Sequence, residues 1–197
     1  MSVRSGLARD GDIRPAVREW ILGQPGWRQA VLREEFGLCN GEARADVAVV
    51  APQLEGFEIK GPLDRMARLP RQVAFYDRIF ARSWLVTTEA AWPAASALIS
   101  PWWGVLLAQS ARRQSGLVPV RTAQPSPAVE PLALARLLWR QEVLAELDAA
   151  GWTGSVGRLP RHRLWQILAD ALPAEQLAAR VQQVLAAREQ SASAVTA

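Results

Sequence analysis

The sequence predicts an α/β protein in which a mixed sheet is flanked by helices and followed by a helical region. Two observations support this fold class. Short β-branched and apolar runs are typical of strands, and they occupy residues 31–38, 45–51, 56–61, 83–88 and 103–108. Apolar residues at helical spacing lie between and beyond these runs, at 13–21, 69–80, 90–99 and from 132 onward.

Turn signals order the amino-terminal elements. Asp12 is a candidate N-cap for the first helix, which the sequence Gly23-Gln-Pro-Gly ends. Asn40-Gly41 predicts a tight turn between the first two strands, and the Pro-Gln-Leu-Glu segment before Gly56 predicts a β-hairpin between the second and third. The first three strands should therefore form a meander.

The helix predicted over residues 69–80 has one apolar stripe. Pro70 suits its first turn, and Gln72 lies at the margin of the stripe, on the same side as Tyr76 one turn later. Arg68 lies one turn before Gln72, near the same edge. An ordinary amphipathic helix with a solvated arginine face fits this pattern too. The stripe consists of Leu69, Val73, Tyr76 and Phe80.

The organisation of the chain changes after residue 123. A Pro/Ser-rich linker at 124–131, preceded by a final hairpin, separates a core at 1–123 from a helical region at 132–189. The small, polar residues 190–197 predict a disordered tail. Three helices are predicted in the helical region, at 132–149, 160–171 and 173–189.

Composition narrows the class of protein. The chain has 197 residues, half of them apolar, and its single cysteine, Cys39, excludes an intramolecular disulfide and a cysteine-based zinc site. No leader sequence opens it and no apolar run reaches the length of a membrane helix, so we expect a cytoplasmic protein without membrane contact. A lone His162 and the lack of a Gly-rich phosphate loop give little support to a small-molecule enzyme.

Positive charge is concentrated in the first 123 residues. Basic side chains outnumber acidic ones there by 16 to 12, whereas they balance at 7 each from residue 124. An arginine excess on this half suits a polyanionic partner, although an arginine-rich composition alone also raises the isoelectric point. A smaller basic cluster fits either a solvated helix end or a phosphate contact, and it contains Arg158, Arg161, His162 and Arg163.

Charged side chains recur in the second and third predicted strands. Glu58 and Lys60 are two residues apart and share one face of a strand, and the hairpin can bring Asp46 opposite them. Lys60 is the only lysine in the chain, which suggests a role that the wide guanidinium of arginine cannot fill. A pair such as Glu58 and Lys60 alone is more often a simple salt bridge.

These residues resemble a known superfamily. Asp46, then Glu58-Ile59-Lys60 on the next strand, then Gln72-x-x-x-Tyr76 on the next helix, resemble the PD-(D/E)XK nucleases and their RecB-type members. The strings ARADVAVV, GFEIK and RLPRQVAFY also resemble a small uncharacterised bacterial and phage family within that superfamily. The resemblance implies a restriction-endonuclease-like core with a carboxyl-terminal helical appendage. Ala45 departs from the pattern, which has proline there.

The resemblance implies a metal-dependent nuclease that hydrolyses phosphodiester bonds, with DNA as the expected substrate. Asp46, Glu58 and the main-chain carbonyl of Ile59 would bind Mg²⁺ or Mn²⁺, because hard oxygen ligands suit these ions. Lys60 would orient or deprotonate the attacking water, and Gln72 would hold the scissile phosphate or a metal-bound water.

The third carboxylate is left open between three residues. Period 2 along the first strand puts Glu34 on the apolar face and Glu35 on the opposite one, which favours Glu35 as a catalytic and metal-binding residue. Glu19 on the first helix is a rival. Arg44 shares a strand face with Asp46 and is expected to contact phosphate or hold a carboxylate.

The expected partner is nucleic acid, and formation of a homodimer is left open. Arg44, Arg65 and Arg68 are the candidate nucleic-acid contacts, together with Tyr76, which would mainly fix its helix against the sheet. The competing hypothesis is a non-catalytic nucleic-acid-binding or interaction protein, in which the nuclease-like cluster survives only as structure.

Overall fold

A computed structural model describes residues 10–28, 30–51, 53–111 and 114–195. The fold is a mixed α/β fold with a six-stranded sheet flanked by helices, as predicted. The strands are β1 (Val31–Leu38), β2 (Ala43–Ala51), β3 (Glu55–Lys60), β4 (Arg82–Thr88), β5 (Gly104–Ala111) and β6 (Gln114–Arg121). The helices are α1 (Asp10–Gly23), α2 (Leu69–Ile79), α3 (Trp92–Ser96), α4 (Pro131–Ala135), α5 (Arg140–Ala149), α6 (Arg161–Ala171) and α7 (Ala174–Val195).

The strands lie in the sheet in their chain order, from β1 to β6. β1, β2 and β3 are antiparallel, which confirms the predicted meander and its hairpin. β3, β4 and β5 are parallel, because α2 and α3 carry the chain back across the sheet between them. β6 returns antiparallel to β5 and confirms the final hairpin. The sheet is therefore mixed, with its parallel strands in the middle.

The helix α1 covers one face of the sheet. Its buried residues Ile13, Val17 and Ile21 recur at helical spacing and pack on side chains of the central strands, including Phe57 and Trp84. Phe57 and Trp84 are cross-strand neighbours whose rings are stacked at 5.9 Å between centroids. Since side chains alternate along β3, the residues on either side of Phe57 face the opposite layer.

The opposite face of the sheet packs against α2, α3 and the carboxyl-terminal helices. The predicted stripe of α2 is confirmed, because Leu69, Val73 and Tyr76 are buried there. Leu134 of α4 and Leu168 of α6 belong to the same apolar cluster. The helical region therefore shares a core with the sheet, and the domain boundaries stated above remain predictions.

The helical region differs from the prediction in detail. The single helix expected at 132–149 is two helices, α4 and α5, separated by a break at residues 136–139. Trp139 ends this break, and its backbone N–H donates to the Glu142 carboxylate at 2.6 Å, so α5 begins with its own cap. α7 continues through Val195 into the expected tail, and residues 196–197 lie outside the described residues. None of the helices in the described ranges combines the length and apolar character that a bilayer span requires.

Asp77 of α2 ties the expected linker to the core. Its carboxylate accepts hydrogen bonds from Ser100 Oγ, Trp102 Nε1 and Trp103 Nε1, at 2.5, 3.0 and 2.6 Å. Its main-chain carbonyl accepts a further bond from Ser126 Oγ at 2.7 Å. The backbone N–H of Glu130 donates to the Arg78 carbonyl at 2.9 Å, so residues 126–130 are held at the end of α2 by specific hydrogen bonds.

We expect Gly104→Ala to destabilise the protein by about 1–3 kcal/mol, the typical cost of overpacking a core. A Cβ atom at Gly104 would overlap the indole of Trp84, which is itself held between β5 and Phe57. Urea unfolding would measure the loss. Gly37→Ala is the matched control, because a Cβ in that strand meets no atom of the described structure within 4 Å. Equal stability of the two variants would contradict the packing argument.

A polar pocket at the carboxyl end of β3

Asp46 lies where the β2–β3 ladder opens. The β2–β3 pairing ends at Val47, which lies opposite Phe57. Beyond this pair, the backbone N–H of Ile59 donates to Asp46 Oδ2 at 2.7 Å. The Asp46 side chain thus replaces a ladder hydrogen bond and is directed toward the end of β3. The hairpin prediction for this residue is confirmed, since Asp46 is brought beside the Glu58–Lys60 segment.

Glu58 is a fully buried carboxylate that is held by three donors. Lys60 Nζ lies 2.5 Å from Oε1, which also accepts a hydrogen bond from Gln72 Nε2. Tyr76 Oη donates to Oε2 at 2.8 Å. The donors come from the same face of β3 and from one side of α2, which is the spacing that the sequence predicted.

The environment of Glu58 favours its protonated form. Burial, followed by repulsion from Asp46, raises the pKa of Glu58 from its ordinary value of 4.5 to about 7. Attraction to Lys60 and the hydrogen bonds from Lys60 and Tyr76 lower the pKa but do not cancel the rise. The pKa of Tyr76 is raised well above its ordinary value, mainly by burial. Glu58 therefore exchanges its proton near neutral pH.

These residues form the wall of an open pocket of about 370 Å³. Its floor is polar and its rim includes Leu63, Arg65 and Arg68 from the loop and turn that join β3 to α2. The structure brings together most of the residues that the sequence singled out. The lining consists of Asp46, Glu58, Ile59, Lys60, Leu63, Asp64, Arg65, Arg68 and Gln72.

Glu35 does not join Asp46 and Glu58 in this pocket. Its φ is 53°, and its carboxylate forms ion pairs with Arg14 at 2.7 Å and Arg44 at 2.6 Å. Glu34 lies 3.8 Å from the same arginine, Arg14. Arg44 thus holds a carboxylate, which is one of the two roles expected for it.

The oxygen atoms of the pocket are not arranged to bind a divalent cation. Both oxygens of Glu58 already accept hydrogen bonds from the chain, and the Lys60 ammonium occupies the space beside it. Among the described residues, no group of three or more His, Cys, Asp or Glu side chains could hold a metal ion. Binding of Mg²⁺ or Mn²⁺ through Asp46, Glu58 and Ile59 therefore stays a prediction that the geometry does not favour.

The candidate nucleic-acid contacts differ in their surroundings. Arg65 and Arg68 are exposed at the rim, and neither forms an ion pair with any residue that the structure describes. Tyr76, in contrast, is fully buried, and its hydroxyl contacts Glu58 and the carbonyl of Phe57. Tyr76 can therefore influence a partner only through Glu58, while the two arginines are free to touch one.

Two neighbours of the pocket were missed by the sequence analysis. Arg14 of α1 reaches across the sheet edge to Glu35 and lies 3.9 Å from Asp46 Oδ1. Asp64 lines the pocket and accepts a hydrogen bond from the backbone N–H of Gly61 at 2.6 Å. The turn signal Gly61-Pro-Leu-Asp64 indicates such a bond, whereas nothing in the sequence places Arg14 near Asp46.

Comparison with known proteins gives one family. A model described as Bacteriophage P4 protein cII matches residues 4–196. The chain is also similar to Protein cII of Enterobacteria phage P4, with 29% identity over 80 residues. That match covers 41% of the present chain and only 30% of the length of the phage protein. No solved structure matches the chain.

These comparisons correct the expectation of a nuclease. The match extends over almost the whole chain and is to the cII family, so the assignment to the PD-(D/E)XK superfamily is wrong. The expected metal-dependent hydrolysis of phosphodiester bonds followed from that assignment and is therefore wrong as well. The physical counterpart is that both oxygens of Glu58 accept hydrogen bonds from Lys60, Gln72 and Tyr76, and that no group of three or more metal-ligating side chains is assembled among the described residues.

We expect the free energy of unfolding to depend on Glu58 between pH 4.5 and 7. A carboxyl group whose pKa is raised on folding contributes stability below its unfolded pKa, and this stability is lost as the pH rises through the folded pKa. The loss across this window amounts to about 3 kcal/mol. Urea unfolding at several pH values should show it in the wild type, and Glu58→Gln should show a clearly smaller loss, which comes from other buried carboxyl groups such as Glu55.

Glu89→Gln is the control for this measurement, because Glu89 is exposed. It should reproduce the wild-type pH profile. If the profiles of wild type and Glu58→Gln ran parallel from pH 4.5 to 7, the raised pKa of Glu58 would be refuted.

We expect millimolar Mg²⁺ to leave the Tm of the protein unchanged, because the oxygens of Glu58 are engaged by Lys60, Gln72 and Tyr76. Differential scanning calorimetry with and without the ion tests this. A Mg²⁺-dependent rise in Tm that disappears in Asp46→Asn would show that the pocket rearranges to bind the ion.

Proposed function

Starting from the finding that the chain belongs to the bacteriophage P4 protein cII family, we propose that it is a non-catalytic protein that binds nucleic acid at the rim of the polar pocket. One observation carries this proposal. Arg65 and Arg68 are both exposed and both line the pocket, without an ion-pair partner among the described residues. Unpaired guanidinium groups bind phosphate through two parallel hydrogen bonds, and this contact releases counterions.

The charges below the rim do not oppose an approaching phosphate. Lys60 neutralises Glu58 at 2.5 Å, and the raised pKa of Glu58 further reduces its negative charge near neutral pH. Asp46 lies 3.9 Å from Arg14 and accepts the N–H of Ile59. Asp64 is the remaining carboxylate of the lining, so the two rim arginines outnumber it in the field that a polyanion meets at the pocket.

The carboxyl-terminal basic cluster is a weaker candidate for the same role. Arg161 is placed over the ring of Trp165, 4.8 Å from its centroid, so its guanidinium is already engaged in a cation–π contact. Arg158 is exposed and lies before α6. The two surfaces are far enough apart in the chain to be tested separately.

Several finer expectations belong to this proposal. We expect the nucleic acid to be DNA, the protein to be cytoplasmic and the chain to be able to form a homodimer. A further expectation is that the core is restriction-endonuclease-like. The antiparallel hairpin followed by parallel strands supports this last point.

We expect Arg65→Ala and Arg68→Ala each to weaken binding of duplex or single-stranded DNA. Each should also lower the slope of log Kd against log salt concentration by about one counterion. Fluorescence anisotropy of a labelled oligonucleotide over a series of salt concentrations measures both quantities. No cleavage of the oligonucleotide is expected.

Arg18→Ala is the matched control, since Arg18 is an exposed arginine on α1 outside the pocket lining. It should bind DNA like the wild type. If Arg158→Ala weakened binding while both rim variants bound normally, the nucleic-acid surface would lie on the helical region. Absence of any DNA binding by the wild type would overturn the proposal.

A further inference from the structure

Two further pockets lie at the opposite end of the parallel strands. One has a volume of about 480 Å³ and the other of about 380 Å³, and both contain Trp27, Trp84 and Thr122 in their walls. Glu55 and Arg82, which line the larger pocket, are the first residues of β3 and β4. Glu55 and Lys60 are five positions apart along extended β3, which corresponds to roughly 17 Å. These pockets are therefore distinct from the polar pocket.

Tryptophan rings form the apolar wall of the two pockets. Trp20 contacts Trp27 and Trp84 edge-on, with ring centroids 5.9 and 5.3 Å apart. Trp27 also meets Phe57 edge-on at 6.0 Å, so its plane is fixed while its side chain is only half-buried. Such a fixed and partly exposed indole offers a stacking surface at little cost in conformational entropy.

Glu55 supplies a buried acceptor in the wall of the larger pocket. Its side chain is 3% exposed, and Oε2 accepts a hydrogen bond from Trp84 Nε1 at 2.8 Å. Oε1 forms an ion pair with Arg82 Nη1 at 3.6 Å, a distance longer than a hydrogen bond. The guanidinium of Arg82 is bonded instead to Gln53 Oε1. One carboxylate oxygen thus keeps unused acceptor capacity beside a donor-rich guanidinium.

We propose that this tryptophan-lined pocket binds a single unpaired nucleobase, which stacks on Trp27 and presents an N–H to Glu55 Oε1 and an adjacent acceptor to Arg82. Every nucleobase has a donor next to an acceptor on its Watson–Crick edge, and unstacked bases are bound by aromatic faces and polar side chains in this way. The volume falls within the range of about 300–1,000 Å³ that is usual for ligand pockets.

The surroundings of Glu55 favour a base over other ligands. A cationic ligand would be repelled by the Arg82 guanidinium. An anionic ligand would be repelled by the Glu55 carboxylate. The Glu55 carboxylate and the Arg82 guanidinium carry opposite charges 3.6 Å apart, so a neutral partner fits the pair better than an ion of either sign. A neutral planar base with one donor and one acceptor matches both side chains.

The base site is separate from the arginine rim and can be tested with free nucleotides. The probes are the four ribonucleoside 5′-monophosphates, with ribose 5-phosphate as the compound that lacks a base. Calorimetric titration of the full chain should detect binding of at least one nucleotide and none of ribose 5-phosphate. Arg68→Ala should bind the nucleotides like the wild type.

Two variants examine the named contacts. Trp27→Ala removes the stacking surface and should weaken binding by about tenfold or more. In Glu55→Gln, the amide oxygen has to accept from Trp84 Nε1, so the NH₂ group takes the place of Oε1 and opposes the N–H of the base. This variant keeps the shape of the side chain and should also lose binding by about tenfold.

Trp152→Ala is the matched control, because Trp152 is an exposed indole outside these pockets. It should leave nucleotide affinity unchanged. Three results would overturn the assignment: no nucleotide binds, ribose 5-phosphate binds as well as the nucleotides, or Glu55→Gln and Trp27→Ala bind like the wild type. DNA binding that depends on Arg68 could persist in each of these cases, so failure here is separate from failure of the proposed function.

Discussion

The burial of the Glu58 carboxylate is the constraint that fixes how the sheet and α2 fit together. A carboxylate removed from water needs donors, and those of Glu58 come from Lys60 on its own strand and from Gln72 and Tyr76 on α2. A shift of α2 by one residue would withdraw both of its donors. The apolar stripe of α2 and the polar cluster therefore require the same register, and each supports the other.

Much of the sheet could be predicted from the sequence because its signals are local. The Asn40-Gly41 turn adopts positive φ values at both residues, and the hairpin that follows places Asp46 beside β3 as expected. Glu35 shows where such reasoning stops. Period 2 assumes a regular strand, but Leu32 packs on the α1 side and Phe36 on the α2 side, with the positive φ of Glu35 between them. Tertiary contacts with Arg14 and Arg44 hold that conformation, and no local pattern predicts them.

Function was harder to predict than position. The spacing of Asp46, Glu58, Lys60 and Gln72 correctly placed these residues around one pocket. Spacing does not determine whether a carboxylate binds a cation or is satisfied by neighbouring donors, since both arrangements use the same residues on the same faces. The break between α4 and α5 was missed for a related reason. Residues 132–149 have helical composition throughout, and only the cap formed by Glu142 at Trp139 separates the two helices.

The sole lysine, the sole tyrosine and the sole cysteine, Lys60, Tyr76 and Cys39, are all buried. These are the side-chain types that titrate between about pH 8 and 11, and of the three only Lys60 reaches solvent, within the polar pocket. Positive charge on that surface is carried by arginine, which keeps its proton throughout this range. The positive charge of this surface should therefore persist under alkaline conditions in which a lysine-rich surface would discharge. Reagents that modify phenols or thiols will find no exposed target on the native fold, and amine reagents can reach Lys60 only through the polar pocket, where its side chain is 10% exposed.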